Sequence, residues 1–66
     1  MLGIVDRECT ATIYERPSIF SEVVGELPPL TQVEIDEEAS DSSFFKICTA
    51  YGVEGYCLKI TFSDAL

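Results

Sequence analysis

The chain has 66 residues, 12 acidic against 4 basic and no histidine, for a formal charge of −8. That balance excludes direct recognition of nucleic-acid phosphates or anionic membranes, because both need Lys and Arg to displace counterions. With 47% apolar residues there is still enough hydrophobic surface to close one small core. No run approaches the roughly 20 apolar residues of a membrane-spanning helix. Residues 1–8 lack the basic start and apolar run of a secretory signal. The expectation is one cytoplasmic domain over 1–66 with its core about 10–62. If the chain is a domain cut from a longer protein, that placement lapses.

In chain order, the apolar pieces are short and bounded by turn formers, which is a strand pattern. Thr10 to Tyr14 puts Ala11 and Ile13 on one face, and Arg16-Pro17-Ser18 ends the run. Val23, Val24 and Leu27 form the next piece, with Gly25 permitting a bend. Pro28-Pro29 then removes two ladder donors in succession. Thr31, Val33 and Ile35 alternate with Gln32, Glu34 and Asp36, as in a strand with one wet face.

Residues 36–43 hold acids and serines with little to bury and predict a loop. Phe44 to Cys48 resumes a strand with Phe45 and Ile47 inward. Alternation therefore turns Phe44 outward, where exposure is expected. Ala50 to Glu54 reads as a hairpin connection, Gly55 to Leu58 as the returning strand and Ile60 to Phe62 as a short closing strand. Phe45, and most of Phe20 and Tyr56, are expected to fill the core. No segment keeps helical periodicity for three turns. The fold class is all-β, a small five- to six-stranded barrel.

The chemistry for catalysis is thin. Without histidine, general acid–base work would fall to carboxylates, and those at Asp36, Glu37, Glu38 and Asp41 sit in a loop open to water. That loop has not the spacing of an EF-hand. Three cysteines, Cys9, Cys48 and Cys57, fall short of the four ligands of a closed zinc site. No cysteine has a histidine to activate it. Neither metal nor cofactor is expected, and the chain does not read as an enzyme. Reduced thiols are the expected state, with a Cys48–Cys57 disulfide as the alternative if the turn at Gly52 brings the two together.

The order of motifs resembles the bacterial Src-homology-3 family. Ile13-Tyr14-Glu15-Arg16-Pro17-Ser18 looks like its opening "N-V-R-S-x-P-S", and Val23 to Leu27 like "V-I-G-x-L". Val33-Glu34-Ile35 matches "x-V-x-V", Phe44 to Ile47 "W-x-K-V", and Gly52 to Cys57 "G-x-x-G-W/Y-V". The resemblance spans roughly residues 10 to 60. It implies a Src-homology-3-like barrel acting as a non-enzymatic binding module, often one attached to cell-wall hydrolases and engaging peptidoglycan or peptide. Two departures stand out: Leu30 replaces the Gly usual before the central strand, and Phe44 replaces the Trp.

The expected contact surface is an aromatic shelf with an acidic rim, made of Tyr14, Phe44, Tyr51 and Tyr56 with Glu15, Glu37 and Asp41. Rings take apolar contact and carboxylates take Lys or Arg, which suits a protein or peptide partner with a basic or proline-containing segment. The alternatives are a peptidoglycan-targeting module and an acidic mimic that occupies a nucleic-acid-binding surface.

Overall fold

The computed structural model describes residues 1–63 and contains six strands and two single-turn 3-10 helices. The strands are β1 (Leu2–Ile4), β2 (Ala11–Tyr14), β3 (Val23–Leu27), β4 (Gln32–Asp36), β5 (Phe44–Cys48) and β6 (Glu54–Leu58). They form one antiparallel sheet in the order β1-β4-β5-β6-β2-β3. After β6 the chain returns to β1: Phe62 bridges Val5, and the Ser63 N–H donates to Ile4 O at 2.9 Å. The turn 28–31 is held to the same place, because the Leu30 N–H donates to Val5 O and the Val5 N–H to Thr31 O. The sheet curls into an all-β barrel of the Src-homology-3 kind.

The core is mostly aliphatic and continuous. Val5, Ala11, Ile13, Leu27, Val33, Ile35, Ile47, Cys57 and Phe62 pack inside, and in β4 the alternate residues Gln32, Glu34 and Asp36 face water. Gly55 is required by close approach rather than by its dihedral angles. A Cβ there would collide with Ile13 Cγ2 and lie 2.7 Å from the Tyr14 carbonyl oxygen, so only glycine lets β6 pass this near β2.

Several expectations change. β1 has no signal in the sequence: Leu-Gly-Ile is too short to show a period, and it becomes a strand by pairing with Gln32–Glu34 of β4. The expected closing strand at Ile60–Phe62 is instead a 3-10 turn, Lys59–Thr61, with a single bridge at Phe62. Phe20 is 92% exposed, at the tip of the 15–22 loop, rather than in the core. Tyr56 is half-buried on the outer face, whereas Phe45 packs against the core as expected, its ring edge-to-face with Phe62.

The loop 36–43 is a built connection. Asp36 Oδ1 accepts from the N–H groups of Glu38 and Ala39 at the 3-10 turn Glu37–Ala39. Ser40 Oγ accepts from the Lys46 N–H at 2.9 Å and donates to Asp36 O. Short side-chain oxygens thus replace the buried apolar contacts that the segment lacks.

Candidate functional site

Tyr14, Phe44 and Tyr56 are brought onto one outer face of the barrel by register. Tyr14 of β2 lies opposite Tyr56 of β6, and Tyr56 lies opposite Lys46 of β5. Phe44, two residues before Lys46, shares that face because side chains alternate along a strand. The Tyr14 and Phe44 rings meet edge-to-face with centroids 6.1 Å apart, close to the preferred aromatic geometry.

Phe44 points outward as its place in the alternation requires, yet it is only 6% exposed. The expectation of exposure is corrected: Tyr14 stands against the ring, and the connection 36–43 closes over its backbone. Asp41 Oδ1 accepts from the Phe44 N–H at 2.7 Å, and the Asp41 N–H donates to Phe44 O. Phe44 is the floor of the shelf, and Tyr14 and Tyr56 are its half-buried edges.

Lys46 was not among the residues singled out in the sequence, although its i+2 spacing from Phe44 puts it on the same face. Its Nζ lies 5.6 Å from the centre of the Tyr56 ring and 3.4 Å from Glu54 Oε1. The cation on the ring face and the carboxylate beside it fix the Tyr56 end of the shelf.

The acidic rim is distributed. Glu15 follows Tyr14 directly and is exposed; its N–H donates to Glu22 O, holding the base of the 15–22 loop. Glu37 and Asp41 lie on the connection that leads into Phe44. Asp41 is kept below its ordinary carboxylate value of 3.8, first by the Ser43 N–H and then by that of Phe44, with Lys59 adding attraction. It is anionic at neutral pH, and two of its acceptor positions are already used by backbone.

Tyr51 does not join this shelf. Phe44 pairs with Leu58 at one end of the β5–β6 ladder and Cys48 with Glu54 at the other. Those ends are about 13 Å apart along the strand, and Tyr51 sits beyond the second, in the 49–53 turn, 95% exposed. Hydrogen bonds from the Tyr51 and Val53 N–H groups to Thr49 Oγ1, with Gly52 at φ +85°, shape that turn.

The cysteines are free. Cys48 shares a face with its partner Glu54, and Cys57, opposite Phe45, lies on the other face. The Cys48–Cys57 disulfide is therefore ruled out by strand alternation despite the neighbouring strands. Burial pushes the Cys57 thiol up to about 12, so it is protonated at neutral pH and serves as a core apolar group. Among the described residues, no three Asp, Glu or Cys side chains are grouped to hold a metal ion.

With this geometry in place, comparison with known proteins identifies the lineage. The bacterial SH3 domain profile matches residues 10–62. The chain belongs to the bacterial SH3 domain family. The five ordered motifs lie within the matched stretch, and β1 lies ahead of it. No curated protein matches the chain. Among solved structures it is similar to that of NlpC2 from Trichomonas vaginalis, with a TM-score of 0.77 at 20% identity. The superposition covers 96% of this chain and 22% of that one, so the chain spans about a fifth of its neighbour's length. At this identity the likeness is one of fold. No helix among the described residues is long and apolar enough to cross a membrane.

Proposed function

We infer that this SH3 barrel is a non-enzymatic binding module that holds a peptide or protein segment against the Tyr14–Phe44–Tyr56 face. The observation that carries the reading is the aromatic shelf itself. It has a buried Phe44 floor and two half-buried tyrosines that keep their hydroxyls. Glu15, Glu37 and Asp41 stand on the adjoining loops. Rigid rings with a polar tip bind apolar and prolyl surface at low entropic cost, and the carboxylates favour Lys or Arg beside it. Membership of a family of binding modules agrees with this. The three free thiols suit a reducing compartment, so the module is taken as cytoplasmic.

The test is fluorescence titration with a labelled peptide containing Pro-x-x-Pro and two arginines. Tyr56→Ala is expected to weaken binding roughly tenfold, the cost of an aromatic anchor, with unfolding midpoints of both proteins measured alongside. Unchanged affinity in Tyr14→Ala and Tyr56→Ala would remove the shelf from the contact. Co-sedimentation with purified peptidoglycan, without binding of the peptide, would make the module a wall-targeting one that works outside the cell. Capture by a basic nucleic-acid-binding protein, lost steeply with salt, would favour the acidic mimic.

A further inference from the structure

Four consecutive residues of β3, Val24 to Leu27, border a cleft of about 350 Å³ whose far wall is the 49–53 turn. The cleft also reaches Ile13 of β2 and Thr31, Gln32 and Thr49, so it opens over the mouth of the barrel beside the outer edge of β3. Among the described residues β3 pairs only with β2, so this edge keeps unpaired backbone groups. The register steps from Ile13↔Gly25 to Tyr14↔Val23, which leaves Val24 bulged out of the ladder. Gly25 to Leu27 remain as a straight edge beside it.

The walls are mostly apolar, with Val24, Leu27 and Pro28 on one side and Ala50, Tyr51 and Val53 on the other, and Thr31, Gln32 and Thr49 add polar groups. Val23, Val24, Tyr51 and Val53 are exposed, an arrangement that soluble proteins normally avoid at a sheet edge. The charged side chain in the wall of the cleft is acidic. Glu26 lines it and Glu22 precedes β3, while none of the four cationic side chains, Arg7, Arg16, Lys46 or Lys59, is among its walls. A second copy pairing edge to edge would set these glutamates against their equivalents, between molecules each carrying −8. A cationic strand meets no such repulsion.

We propose that the β3 edge and the 49–53 turn form a second docking site, apart from the aromatic shelf. It takes an extended peptide of alternating basic and apolar residues as an added strand. The peptide backbone pairs with Gly25–Leu27, its apolar side chains enter the cleft against Val24, Tyr51 and Val53, and its cations meet Glu26 and Glu22. Main-chain pairing supplies register and the acidic rim supplies the choice of partner.

The experiment is a 1H–15N correlation titration of the whole chain with a synthetic peptide of alternating lysine and valine, and with its glutamate–valine counterpart. Saturable shifts confined to residues 23–27 and 49–53, seen with the lysine peptide alone, are the expected result. Glu26→Lys and Tyr51→Ala should each weaken that binding at least fivefold, whereas Tyr56→Ala should not. Shifts centred on Tyr14 and Tyr56, an equal response to the glutamate peptide, or no saturable shift would each overturn the proposal. So would peptide-free dimerisation through β3 in sedimentation, which would assign the edge to a second copy.

Discussion

Each face of the β5–β6 ladder buries side chains, by different means. On the inner face Ile47 and Cys57 meet Val5, Ile13 and Ile35, and barrel closure excludes water from all of them together. On the outer face Phe44 is covered by one ring from β2 and by a loop held through side-chain oxygens. The inner face is apolar throughout and indifferent to what binds outside. The outer face gives part of the fold's stability to residues that also form the contact surface. Truncating a shelf residue therefore disturbs folding and recognition together.

The largest effect that tests this contrast is on Phe44. Phe44→Ala should lower unfolding free energy by about 3 kcal/mol, as for a buried phenylalanine, and by more than Phe45→Ala, whose ring is half-buried against Phe62 and Lys59. Urea denaturation of the two variants measures the order. The reverse order would mean that the outer cover is not a packed one.

The inner face has its own signature in pH. A thiol raised from 9.0 to about 12 keeps its proton in the folded state where the unfolded chain has lost it. Its contribution to stability is whole below pH 9 and is lost as pH rises towards 12. Between pH 9 and 11 the wild type should lose about 2 kcal/mol more than Cys57→Ala does. Parallel curves for the two proteins would show Cys57 open to water.

The smallest effect lies outside both faces. Leu30 has φ +67°, in the left-handed region, and its side chain is 67% exposed. A β-carbon there costs about 1–2 kcal/mol, part of which glycine would return as unfolded-chain entropy. Leu30→Gly should thus raise stability by about 0.5–1 kcal/mol in thermal unfolding. A loss would mean that Leu30 packs in the folded state.

Much of the fold was legible because its signals are local. Val33 and Ile35 alternate with polar neighbours, Pro28-Pro29 interrupts pairing, and Gly52 sits where a turn needs positive φ. What was not legible depends on distant partners. Leu2–Ile4 carries no periodic signal and becomes a strand only beside β4. Phe20 has the composition of a core residue, but the hydrogen bonds of Ser18 and Ser21 shape a loop that holds it out. In the site, alternation correctly turned Phe44 away from Phe45, but no period states what will cover an outward side chain. Tyr51 shares its residue type with the shelf, but the length of the β5–β6 ladder separates it from Phe44.

Taken by itself, the amino-acid sequence determined the strand class, the order of the motifs, the acidic surface and the absence of a histidine-based chemistry. These depend on composition and on periods of two residues. The tertiary structure alone decided which rings meet, that Phe44 is floor rather than rim, and that two cysteines on neighbouring strands face opposite ways. It also decided that β3 ends the sheet beside an apolar cleft. The physical reason is that burial and pairing belong to surfaces contributed by residues far apart in the chain, and these exist only once the barrel has closed.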